Sequence, residues 1–183
     1  QYYANPLWLN PALTGVVDGS YRVNANFKQQ WGGIANSFLT GGVSFDMAPT
    51  KNLAVGAMIF NQNAGELNFN YLSALASASY RVQIGADRLS ILNFGIQAGV
   101  INRNFDASKA RFGNQYNPIL GFDPGTGTTE TIANSSSLVP DVNVGLMYFD
   151  GNPGKNLNPF IGASVSHLTR PVERFMGAEV KLP

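Results

Sequence analysis

Apolar and polar residues alternate with a period of two along most of this chain. In Tyr21-Arg22-Val23-Asn24-Ala25-Asn26-Phe27-Lys28 the odd positions are apolar and the even ones polar or charged. Side chains of a strand point alternately to opposite faces, so the segment predicts a strand with one apolar and one polar surface. The pattern returns six times. Residues 38–46 set Leu39, Gly41, Val43 and Phe45 against Phe38, Thr40, Gly42, Ser44 and Asp46, and residues 53–60 set Leu53, Val55, Ala57 and Ile59 against Ala54, Gly56, Met58 and Phe60. Residues 72–83 place Leu72, Ala74, Ala76, Ala78, Tyr80 and Val82 opposite Ser73, Leu75, Ser77, Ser79, Arg81 and Gln83. Three further runs cover residues 92–100, 142–148 and 160–166, and an eighth strand is expected to begin at Glu179.

The faces opposite the apolar ones are mostly Gly, Ser, Asn and Gln. A soluble sandwich or lipocalin-like barrel would turn its apolar face inward and need a charged outer face. Small, weakly charged second faces suit a polar lumen, and runs of ~8–12 residues are close to what a tilted strand needs to cross a bilayer. The expected fold is therefore all-β: a transmembrane antiparallel up-and-down β-barrel. The connections expected are residues 29–37, 47–52, 61–71, 85–88, 102–140 and 150–158. Odd connections are the longer ones, the parity of barrels with short periplasmic turns and long extracellular loops. That parity would put the 102–140 loop outside the cell.

Composition narrows the alternatives. The chain has 183 residues, no Cys, one His, 20 Gly, 20 Asn and only 13% charged residues, with a formal net charge of +1. Its apolar content excludes a disordered chain. No run approaches the ~18 apolar residues of a spanning helix, and near-neutral charge argues against a nucleic-acid partner. Without Cys there is no thiol catalysis, Cys-ligated zinc or N-terminal lipidation, and a single His167 excludes multi-His metal sites. Ser166 beside His167 is not triad geometry, so no catalytic residue, metal or cofactor is expected and the chain reads as a non-enzyme. Asp123-Pro124-Gly125-Thr126-Gly127 lacks the acidic spacing of a calcium loop and reads as a turn. The chain starts at Gln1 with no apolar signal core, as a mature exported protein or a part of a longer chain would.

Partner-contact candidates fall in three places. Asn5-Pro6 and Asn10-Pro11 bracket Leu7, Trp8 and Leu9; Pro fixes φ and keeps the preceding Asn extended, predicting a rigid, non-helical segment. It is either a docking element or a structural plug of the lumen. Trp31, before Gly32-Gly33, either shapes a partner-facing surface or belongs to the interfacial aromatic belt. In the long loop, Phe105, Arg111, Phe112, Tyr116 and Phe122 are of the types that anchor protein interfaces. Arg22, Lys28, Asp46 and Arg81 share the lumen side and are expected to pair with one another or with the N-terminal segment, or to line a pore.

Several segments resemble the PorP/SprF family of Bacteroidota outer-membrane proteins. They are Tyr2-Tyr3-Ala4-Asn5-Pro6-Leu7-Trp8-Leu9-Asn10-Pro11-Ala12-Leu13-Thr14-Gly15, Tyr21-Arg22, Gln30-Trp31-Gly32-Gly33-Ile34, residues 94–102, residues 141–149 and Ser166-His167-Leu168-Thr169-Arg170-Pro171. Each is weak alone, but together they cover most of the chain in family order. The resemblance implies an outer-membrane barrel of the type IX secretion system that docks, helps export or retains a cargo protein, such as a gliding adhesin, at the cell surface. Its implied partners are that cargo, other secretion components and outer-membrane lipid. The rival expectation is a passive diffusion channel. Residues 1–19 would form a periplasmic or lumenal segment and residues 20–183 the barrel strands. Family barrels are longer, so these strands are expected to be the N-terminal part of a longer barrel; a complete eight-strand barrel is the alternative.

Overall fold

A computed structural model describes residues 4–33, 37–85, 89–119, 121–123, 125–127, 135–170, 172–175 and 178–181. The seven alternating runs form one antiparallel sheet. Its strands are β1 (Tyr21–Gln30), β2 (Phe38–Met47), β3 (Leu53–Ala64), β4 (Phe69–Ile84), β5 (Ser90–Asn104), β8 (Ser136–Asp150) and β9 (Phe160–Val165), and each pairs with the next of these in the chain. The sheet curls into half of a barrel wall, with β1 and β9 at its edges. Two short hairpins form separate sheets: β6 (Tyr116–Asn117) with β7 (Gly121–Phe122), and β10 (Val172–Phe175) with β11 (Ala178–Lys181). Glu179 thus lies in β11 and pairs with Arg174 instead of adding an eighth strand to the wall.

Burial is inverted relative to a soluble sheet. The apolar stripe faces out: Val23, Phe27, Val43, Ile59, Ile96 and Ile161 are all exposed. Across the wall Ser44, Asp46, Ser73, Ser77, Asn93, Gln97 and Asp141 are buried. On β5 the outward stripe runs from Leu92 to Val100, roughly 27 Å along the strand and roughly 20 Å along the normal at a ~40° tilt, comparable to a barrel's lipid-facing band. No helix among the described residues is long and apolar enough to cross a membrane.

Two sequence expectations change. The connection expected at residues 61–71 contracts to residues 65–68, because β3 and β4 pair as far as Ala64 and Phe69. A left-handed Gly65 (φ 73°) and Asn68 (φ 47°) turn the chain there. β5 and β8 likewise pair out to Asn104 and Ser136, so the long connection is residues 105–135 rather than 102–140. The long-short alternation therefore fails, and only one connection is long. A different asymmetry replaces it. β4, β5 and β8 have 16, 15 and 15 residues, more than the ~9–11 needed to span. Most of their surplus lies on the side of the long connection, where Asn61, Asn63, Asn70, Asn102, Asn104 and Ser136 take outward positions beside the exposed Leu72 and Leu138.

Candidate functional site

The N-terminal segment lies across the concave face, perpendicular to the strands. Its two prolines start short turns of helix rather than keeping it non-helical: α1 spans Pro6–Leu9 and a 3₁₀ turn spans Pro11–Leu13. Pro at the first helical position has the required φ and lacks only an N–H that would have no partner there. Asn10 is extended (φ −158°, ψ 123°), as a following Pro demands, whereas Asn5 (φ −138°, ψ 76°) is kept out of the helical region without being fully extended. Asn10 also caps the second turn, its Oδ1 accepting from Ala12 N at 2.8 Å.

Strand register explains where the segment rests. Ala54, Ser79, Gly95, Gly145 and Ser164 are successive partners across β3, β4, β5, β8 and β9. This row of small residues is a trough, and residues 9–15 run along it in order. Leu9 O accepts from Ser164 Oγ (3.1 Å) and Thr14 O from Ser79 Oγ (2.7 Å), while Asn93 Nδ2 donates to Ala12 O. A Cβ on Gly145 would fall 1.8 Å from Asn10 Oδ1, and one on Gly95 2.2 Å from Ala12 N. Gly15 closes the run with φ 70°, and a Cβ there would meet Ala54 Cβ at 2.1 Å.

Polar rows on both sides hold the segment. On one side Asp46 accepts from Gly15 N (2.7 Å) and pairs with Arg22 (2.8 Å), whose guanidinium also donates to Leu13 O and Val16 O. Gln97 Nε2 donates to Leu7 O at 3.4 Å. On the other side Arg81 Nη2 donates to Gly15 O at 2.9 Å. Arg22, Asp46 and Arg81 therefore pair among themselves and with the N-terminal segment. Asn10 Nδ2 reaches Leu146 O and Ala163 O, 3.2 Å each, and so clips edge strand β9 to β8. A small apolar core completes the contact: Leu7 packs on Met58 and Leu75, with Phe60 beside them and the Trp8 indole stacked on Phe60 at 4.7 Å.

The candidate residues thus separate by environment. Asn5, Asn10 and Pro11 are buried, Pro6 is half-buried and Trp8 stays 41% exposed. Trp31, at the end of β1, is exposed and meets Phe38 edge-on at 5.0 Å. Phe105 is buried, and its N–H bonds to Ser135 O at 3.0 Å across the neck of the long connection. Asp106 N donates to Leu67 O (2.8 Å), tying the loop to the β3–β4 turn. Further out, the Arg111 guanidinium lies 5.0 Å from the Phe122 ring centroid, and exposed Tyr116 pairs with Phe122 across the hairpin. Phe112 is half-buried, its N–H held by the Gln115 side chain. The Asp106 carboxylate sits below the ordinary aspartate range because the Ser108 hydroxyl and then the Ser108 amide donate to it. Asp123 spends its carboxylate on Gly125 N and Thr126 Oγ1, as a turn residue does. Among the described residues, no three His, Cys, Asp or Glu side chains gather as a metal site would require. Sequence reasoning missed Met58, Leu75, Gly95 and Gly145, because their roles depend on which strands become neighbours.

An antiparallel wall with an apolar outer stripe and a polar, filled concave face defines a β-barrel membrane protein. The family model for the type IX secretion system membrane protein PorP/SprF matches residues 1–180, and the chain belongs to that family. No curated protein and no solved structure matches it.

Proposed function

We propose that this barrel is a non-enzymatic docking component of the outer membrane, plugged by its own N-terminal segment. In this reading it receives or retains a secreted cargo protein at the cell surface, and its opposite end faces the periplasmic apparatus. The observation that carries the reading is the seating of residues 9–15 along the Ala54–Ser79–Gly95–Gly145–Ser164 row, with hydrogen bonds to acceptors on β2, β8 and β9 and from donors on β4 and β5. A passive channel needs an open lumen, and a segment seated across the concave face argues against one. The connection of residues 105–135, which carries Arg111, Tyr116 and Phe122, is the cargo-facing surface in this reading. The polar extension of β4, β5 and β8 on the same side supports an exposed, extracellular position.

Two measurements test it. In planar bilayers the intact protein should conduct little, and deletion of residues 1–15 should raise conductance. Purification from native outer membranes should retain a secretion component or a cargo, identified by mass spectrometry. An intact protein with large conductance, insensitive to the deletion and free of such partners, would be a diffusion channel instead.

A further inference from the structure

A cavity of about 190 Å³ lies between the N-terminal segment and the wall, lined by Trp8, Pro11, Ser73, Gln97, Asp141 and His167 among others. It is smaller than the roughly 300–1,000 Å³ of a pocket for a whole small molecule, which points to a single side chain as its occupant. The lining is rich in hydrogen-bond acceptors. Asp141 is 2% exposed, and its one described ion-pair partner is His167 Nδ1 at 2.8 Å. Ser73 Oγ is buried without a partner. Three of the donors nearby are already engaged. Gln97 Nε2 is on Leu7 O, Asn143 Nδ2 is on Gln97 Oε1 at 3.2 Å, and His167 N is on Asn143 Oδ1 at 2.9 Å. Two aromatic rings line it. Tyr71 already carries the Arg103 guanidinium 5.2 Å from its centroid, whereas Trp8 packs a single face on Phe60 and is 41% exposed.

A buried carboxylate, an unpartnered hydroxyl and an open indole face together complement a group with several donors and a positive charge. Guanidinium has five donors and no acceptor and stacks on aromatic faces, with ammonium second to it. We infer that the Trp8–Ser73–Asp141 cavity is a subsite for a basic side chain, arginine above lysine, of a protein that docks onto the concave face beside the N-terminal segment. This rests on the docking role proposed above and names the chemistry that one contact would read.

The test uses the full chain in detergent micelles with Trp31→Phe, leaving Trp8 as the only tryptophan, and Nα-acetylarginine amide as probe. Trp8 emission should respond saturably to the arginine probe. The neutral urea isostere Nα-acetylcitrulline amide should bind about tenfold more weakly or worse, the scale of a charge-assisted hydrogen bond. Asp141→Asn should lose about tenfold in affinity for arginine, and Ser73→Ala, which removes a group with no internal partner, about threefold. Silence toward arginine, equal binding of citrulline or of methyl α-glucoside, or an Asp141→Asn affinity equal to the parent's would each overturn the subsite. If the probe fails while secretion components still co-purify, the subsite falls and the docking role stands. If the probe binds but nothing co-purifies, the docking role falls.

Discussion

Gly95 and Gly145 face one another directly across the β5–β8 ladder, and together they form the floor on which Asn10, Pro11 and Ala12 rest. A side chain at either position has nowhere to go but into the N-terminal backbone. Gly145→Val is expected to lift this segment while leaving the β5–β8 pairing in place. The chain has no Cys, so a single Thr14→Cys, at a fully buried position, reports the change cleanly. Its maleimide labelling should be slow in the parent and about tenfold or more faster with Gly145→Val. Equal labelling rates would show that the segment does not depend on the trough.

Asp46 joins the segment to the first two strands by accepting from Gly15 N and from Arg22 at once. Asp46→Ala would leave the Arg22 guanidinium, whose side chain is 19% exposed, with only its two carbonyl acceptors, and remove an acceptor from a buried amide. Losses of this kind cost about 2–4 kcal/mol. Urea unfolding in micelles, followed by circular dichroism, should show a lower midpoint with an unchanged slope.

The direction of the outer face is tested at Ile96, midway along the β5 stripe and 52% exposed. If that face meets lipid, Ile96→Lys should destabilise folding in phospholipid vesicles by about 2–4 kcal/mol. On a water-facing surface the same change would be near neutral.

The loop responds to acid through Asp106. Its folded carboxyl titrates below the ordinary aspartate value, first because of the Ser108 hydroxyl and then the Ser108 amide. A depressed carboxylate contributes order above its unfolded pKa and loses that contribution as pH falls through the lower, folded value. The Asp106–Ser108 turn should therefore loosen only in strong acid. Ser108→Ala removes the hydroxyl, the largest cause, and should move the Asp106 titration up toward the ordinary value. Carboxyl carbon NMR of Asp-labelled protein reads the shift directly.

The alternation of Tyr21–Lys28 and its six repeats was enough to read the strands, their order and their inverted faces. Register was not legible, because it depends on turns. The Asn61–Tyr71 stretch contains residues that read equally as loop or strand, and the structure pairs all but 65–68. Without register, Gly95 and Gly145 are two scattered glycines; with it, they become one floor. Leu75 and Met58 sit in phase with the polar face, and only Leu7 above them explains an apolar side chain there. The Asn-Pro pairs marked the N-terminal segment from sequence alone, but a Pro that begins a helical turn looks identical to one that forbids it until the next residues are placed.

Six antiparallel steps separate β1 from β9, so the two free edges point the same way. Joined directly, they would make a parallel seam in an otherwise antiparallel wall. Uniform antiparallel closure requires an odd number of intervening strands, whichever polypeptide supplies them, and gives the finished cylinder the even count that bacterial barrels show.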